Sequence, residues 1–168
     1  MVYDNGVYQY IFHRENDLEI RKYLKDEDEV VIPGEIDGYP VASIAMNAFS
    51  MCGSLTKVWI PEGVYHIGVS VFGHCGRLNY VSLPESLEII SFYVFKGCDS
   101  LKELVIPKNV KEFGLSPFPN DPDFRLIVIP DSPAEKFALR TGFERVRDDR
   151  YNSPEYQDRI VMARNTVS

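Results

Sequence analysis

Residues 71–75 read Val-Phe-Gly-His-Cys, and the adjacent His74 and Cys75 are the first residues with chemical potential. A thiol beside an imidazole suits an activated nucleophile with its base, or two ligands of one metal ion. Cysteine also stands 23 residues away on either side, at Cys52 and Cys98. Adjacent strands of a sheet lie about 4.8 Å apart, so three thiols stepped at that pitch span roughly 10 Å. A Zn–S bond is about 2.3 Å, so such a row cannot close on one ion. Cysteine is among the residues most often buried as a small apolar group, and the three thiols read as core fillers.

The remaining candidates assemble no site. His74 aligns with Met51 and Gly97 on a solvated turn, His66 with Ile89 and Glu112 in an outward column, and His13 falls near the N-terminus. No two histidines share a position in the repeat, so no ligand pair forms. The acidic run at 26–29 lacks the glycine and alternate spacing of a calcium loop. No nucleophile elbow, P-loop or dinucleotide fingerprint is present. No catalytic, cofactor-binding or metal residue is assigned, and the chain reads as a non-enzyme without a cofactor.

What must position these residues is a repeat. Residues 53–75, 76–98 and 99–121 align in lines of 23. Leu55, Leu78 and Leu101 form one column, continued by Phe124. Val58, Val81, Leu104 and Ile127 form the next, and Ile60, Leu83, Ile106 and Ile129 each precede a proline. Ile44, Ile67, Ile90 and Phe113 align, as do Phe49, Phe72, Phe95 and Phe118. An earlier copy at 30–52 carries five extra residues in its loop, and a partial copy begins at Pro122. Such a period means a solenoid, because each unit is too small to bury its own apolar residues until its neighbours stack on it. Val58 and Ile60 point inward, with Lys57 and Trp59 outward, as in a strand with one buried face. The proline that follows ends the ladder. Val64 and Ile67 sit on a second short extended piece, and Phe72 plugs the closing turn.

These columns closely resemble the BspA-type leucine-rich repeat family. The resemblance rests on the Ile-Pro step, the close of each unit on Phe and Cys, the 23-residue length, and the longer opening unit at 32–49. It covers about residues 18–143. It implies a leucine-rich-repeat solenoid of the α/β class, right-handed, with strand-rich coils and a parallel sheet along one side. It departs late, where Asp121 replaces the expected cysteine and Ser116–Phe124 is crowded with proline.

A solenoid exposes core at both ends unless caps cover it. Residues 1–29 are expected to form an N-terminal β-hairpin cap, with strands at 7–13 and 18–24. Coils follow over 30–131. Residues 132–143 are expected to form a capping helix, with Ser132 as N-cap, Pro133 at the first helical position, Glu135 completing a capping box and Gly142 ending it. Ala134, Phe137 and Ala138 would face the last coil. Residues 144–168 are expected to be a polar tail or a short helix after Pro154.

Of the 168 residues, 45% are hydrophobic and 26% charged, which allows a core. The 18 basic and 25 acidic residues leave a net charge of −7, against nucleic-acid binding and anionic membranes. No apolar run approaches a membrane span. The first ten residues lack the regions of a signal peptide, so the chain is expected to be intracellular or trimmed.

The outward strand columns carry the functional reading. One contains Lys57, Tyr80, Glu103 and Leu126; the other Val31, Trp59, Ser82, Val105 and Val128. Trp59 is the single tryptophan and is expected beside Tyr80. Aromatics among mixed polar neighbours suit a recognition patch, so Trp59, Tyr80, Lys57, Glu103 and Val105 are the candidate partner-binding residues. The expected function is binding of a protein or glycan partner through the sheet face. The family resemblance implies microbial surface adhesion or host contact. An intracellular scaffold or spacer is the alternative.

Overall fold

The computed structural model describes residues 1–14 and 16–148. The chain opens with β1 (Tyr3–Asp4), β2 (Tyr8–Arg14) and β3 (Asp17–Tyr23), an antiparallel meander. Tyr8, Tyr10, Leu18, Ile20 and Tyr23 are buried on its inner face, the period-2 pattern of a half-buried hairpin.

The coils follow with β4 (Glu29–Val31), β5 (Glu35–Ile36), β6 (Tyr39–Ile44), β7 (Lys57–Trp59), β8 (His66–Ile67), β9 (Tyr80–Ser82), β10 (Ile89–Ile90), β11 (Glu103–Val105) and β12 (Glu112–Phe113). The chain ends with β13 (Arg125–Val128), helix α1 (Pro133–Thr141) and β14 (Glu144–Arg147). Each full coil has two strand sides and a side of tight turns. The second extended piece of each repeat builds the longer ladder: β6, β8, β10 and β12 pair in parallel, and β3 of the hairpin joins its first edge. The strands before the prolines form two shorter parallel ladders, β4-β7-β9 and β11-β13-β14. β9 and β11 approach each other without sharing a ladder.

The five extra residues of the first unit make a small hairpin, β5 against β6. Its tip is Asp37-Gly38, both with positive φ (52° and 81°), the conformation that a two-residue turn of the right twist demands.

The core is a column of aromatic rings. Phe49 and Phe72 lie 5.4 Å apart between centroids, Phe72 and Phe95 5.6 Å, Phe95 and Phe118 6.4 Å. The last two pairs are within 8° of parallel. The ends are aromatic too. Tyr23 of the hairpin stacks on Phe49 at 5.0 Å, and Phe124 on Phe118 at 5.7 Å. Burying each ring removes roughly 150–250 Å² from water, the main favourable term for stacking the coils.

Helix α1 begins as expected. Ser132 Oγ accepts from the Glu135 backbone N–H at 3.2 Å, and Gly142 closes the helix at φ 79°. The Glu135 carboxylate reaches back one residue further than a standard capping box, accepting from Asp131 N at 2.8 Å. Ala134, Phe137 and Ala138 are buried, and Phe137 stacks on Phe113 at 4.4 Å.

Two expectations are corrected. The last coil is one residue shorter than the period: Glu103, Leu104 and Val105 pair with Arg125, Leu126 and Ile127. A one-residue shift moves a strand's side chains to the opposite face. Leu126 and Val128, expected outside, are therefore buried, and Ile127, expected inside, faces outward with Arg125. The second correction concerns residues 144–147. They form neither a tail nor a helix but β14, parallel to β13. All four of its residues are exposed, so no apolar alternation marks it. The expected short helix after Pro154 lies outside the described residues.

Candidate binding face and the cysteine column

The cysteines act as struts. Cys75 and Cys98 are fully buried. The Cys75 thiol donates to the Phe49 carbonyl at 3.2 Å and the Cys98 thiol to the Phe72 carbonyl at 3.1 Å, each tying its coil to the preceding one. Burial pushes the Cys75 thiol up to about 12 and the Cys98 thiol higher still. The shift disfavours the thiolate, the form that attacks as a nucleophile and ligates metal. His74 is exposed at φ 61° on its turn. His66 is half-buried with a ring nitrogen 2.9 Å from Ser91 Oγ, and His13 lies 3.5 Å from Asp17. No group of three or more potential metal ligands occurs among the described residues.

The outward face of β4, β7 and β9 brings three of the five candidates together. The Trp59 and Tyr80 rings lie 5.6 Å apart at 50°, on adjacent strands and diagonal to each other, two residues apart in register. Tyr80 is 45% exposed. Lys57 shares its column with Glu29 and Tyr80, and its ammonium sits 2.6 Å from the Glu29 carboxylate. That contact holds the Lys57 charge above its ordinary range. Val31, Trp59 and Ser82 form the second column. Glu103 and Val105 stand across the break, on the other ladder, where Glu103 pairs with Arg125 at 2.9 Å. There Val105, Ile127 and Val146 continue an apolar row, and Glu103, Arg125 and Glu144 a charged one.

The outward sequence columns did not include Arg125, Ile127 and Val146. The first two were hidden by the shortened coil. Val146 lies on a strand with no apolar face of its own, and nothing in the sequence marks it.

The repeat model of the BspA type leucine rich repeat region matches residues 30–137 in 6 copies. The chain belongs to the BspA-type leucine-rich repeat family. Solved structures of the same kind agree with this assignment. A leucine-rich repeat protein from Bacteroides capillosus is 26% identical, with 76% of this chain and 97% of that one covered at a TM-score of 0.68. The T. pallidum leucine rich repeat protein is 28% identical over 76% of this chain and 70% of that one, at 0.65. The pneumococcal vaccine antigen PcpA is 31% identical over 66% of this chain and 27% of that one, at 0.59. No curated protein matches this chain. Among the described residues of this BspA-type chain, no helix is long and apolar enough to cross a membrane.

Proposed function

We propose that this chain is a non-enzymatic binding module that recognises a protein partner through the outer face of β4, β7 and β9, centred on Trp59 and Tyr80. The observation that carries this reading is the pairing of those two rings on the outer side of a rigid ladder. Aromatic side chains present large contact area at little entropic cost, and such residues dominate interface energies. The stacked core holds them in place before a partner arrives, which lowers the cost of binding. Lys57 and Glu103 flank the aromatics at opposite sides and give the patch a polar rim. A role in microbial surface adhesion is the finer part of this reading, supported by the family resemblance and the likeness to a pneumococcal vaccine antigen.

The test is capture on the immobilised chain. Trp59→Ala should abolish recovery of a partner that wild type retains, with the melting temperature shifted by less than a few degrees. Retention of the same partner by Trp59→Ala would sink the reading, and a glycan-only ligand would replace its partner class. The spacer reading has one observation in its favour: Lys57 and Glu103 are each satisfied by ion pairs within the face and its neighbour ladder. Complete absence of capture by wild type would select it.

A further inference from the structure

At the C-terminal end the repeat stops unevenly, and the geometry there points to a second binding site. The partial unit beginning at Pro122 supplies β13, and the chain then leaves as α1. On the turn side, no described residue is laid over residues 114–120 in the manner of a further coil. A cavity of about 720 Å³ opens there between the last turn and α1. Its walls include Phe113, Phe118, Phe137 and Phe143, at the end of the aromatic column.

Two features give this cavity chemistry. The first is charge. Lys96 and Arg140 both line it, and no carboxylate does. Lys96 Nζ lies 5.1 Å from the centre of the Tyr93 ring, and the Arg140 guanidinium 6.0 Å from that of Phe137. Neither cation has an ion-pair partner among the described residues. In a chain with net charge −7, an aromatic cavity with two such cations is electrostatically out of character.

The second feature is the backbone. On the turn side each coil donates N–H groups forward to the next. Asn47 and Phe49 donate to the carbonyls of Val69 and Val71, Ser70 and Phe72 to Phe92 and Val94, and Tyr93 and Phe95 to Leu115 and Pro117. Ser116 and Phe118 are next in these two columns. Ser116 also keeps the left-handed backbone of its column (φ 46°, against 60°, 53° and 59° at Asn47, Ser70 and Tyr93). Among the described residues, the N–H groups of Ser116 and Phe118 meet no acceptor. The interleaved Pro117 and Pro119 have no N–H to offer. The edge therefore presents donors at alternate residues, open to pairing with an added chain.

We propose that this open end binds an extended acidic peptide segment of another protein. Its backbone carbonyls accept from Ser116 and Phe118, an aromatic or large aliphatic side chain enters the cavity, and a neighbouring carboxylate lies against Lys96 and Arg140. Strand-like addition supplies affinity through the main chain, and pockets and charges supply selectivity. The site is separate from the Trp59 face and does not rest on it.

The test uses the full chain and a fluorescein-labelled Asp-Phe-Asp-Val-Asp peptide, followed by polarisation at low ionic strength. Saturable binding is expected, weakened at least about tenfold by the double variant Lys96→Glu, Arg140→Glu, since each exposed charge contact contributes modestly and reversal adds repulsion. Lys108→Glu, an exposed charge elsewhere, and Trp59→Ala should each change the affinity by less than about twofold. Raising the salt should weaken binding to the wild-type chain in the same direction, a reading that needs no variant to fold. The proposal is overturned by absence of saturable binding, by equal binding of the peptide with lysine in place of aspartate, or by undiminished binding to the folded double variant. Self-association that the double variant abolishes, without peptide capture, would assign the end to a second copy and overturn it equally.

Discussion

The middle coils and the C-terminal end of this BspA-type solenoid are built from the same columns but held by different forces. Around Phe72 and Phe95 the period is intact, every inward column is filled, and the coils are joined by apolar stacking and backbone ladders, with short polar contacts such as the Cys98 thiol on the Phe72 carbonyl. Beyond Phe118 the period loses one residue, Phe143 packs edge-on against the end of the column, and a polar cluster takes over. Phe143 meets Phe118 and Phe124 at 87° and 82°. Glu135, buried under the end, holds Arg147 at 2.8 Å and Arg145 at 3.5 Å, which fastens β14. A repeating unit can extend a core but cannot finish one, so closure falls to residues outside the repeat.

The largest effect that separates the two regions is expected from ring deletion. Phe95 is fully buried between two near-parallel rings, and Phe95→Ala should cost about 3–5 kcal/mol by loss of transfer energy and creation of a cavity. Phe143 is only half-buried at the open end, so Phe143→Ala should cost well under half as much. Denaturant midpoints of the two variants decide this. Equal costs would mean that the end is packed as tightly as the middle.

The sequence was legible where the period held. Phe49, Phe72, Phe95 and Phe118 identify the core column because the same residue type returns at the same interval, and the fold follows from stacking them. Trp59 and Tyr80 were likewise placed on one face by register alone, and the rings lie side by side. Tyr8 and Tyr23 were not visible as members of the column, because the hairpin has a period of 2 and joins the stack from a different element. Leu126 and Val128 were misplaced because a one-residue deletion leaves the apolar composition unchanged and reverses its faces. β14 was invisible because its stabilisation comes from backbone pairing and Glu135, and neither leaves an apolar pattern.

A middle-sized effect concerns how closely the coils approach. A Cβ built on Gly114 would lie 2.3 Å from the Phe92 nitrogen, and one on Gly68 2.8 Å from the Ile44 carbonyl oxygen. Both contacts are with backbone, so the ladder itself must move. Gly114→Ala should cost about 1–3 kcal/mol, the range of overpacking. Gly53, with nothing within 4 Å of its Cβ position, is the control, and Gly53→Ala should lie within about 0.5 kcal/mol of neutral. The comparison also sharpens the regional contrast. If Gly114→Ala is milder than Gly68→Ala, whose neighbours are clamped by coils on both sides, the end yields where the middle cannot.

The smallest effect expected is local and depends on pH. The N–H of Asp131, then Arg147 and Arg145, stabilise the Glu135 carboxylate and hold its pKa below the ordinary 4.5, against the opposing influence of burial. A carboxyl group whose folded pKa is depressed adds stability that is present above its unfolded value and lost as pH falls through the folded one. Acidification below about 4.5 should therefore release β14 while the middle coils stay closed. The Asp148 amide, which donates to the Val128 carbonyl at 2.9 Å, reports on β14, and the Phe72 amide, which donates to Val94 at 3.0 Å, reports on the middle. Hydrogen-exchange protection factors should fall first at Asp148 and remain at Phe72. Glu135→Gln should lower the Asp148 protection at neutral pH and remove its dependence on acid, because the amide keeps part of the hydrogen bonding and none of the charge. Parallel loss of protection at both amides would show that the two ends of the comparison open as one cooperative unit, with the polar cluster contributing nothing of its own.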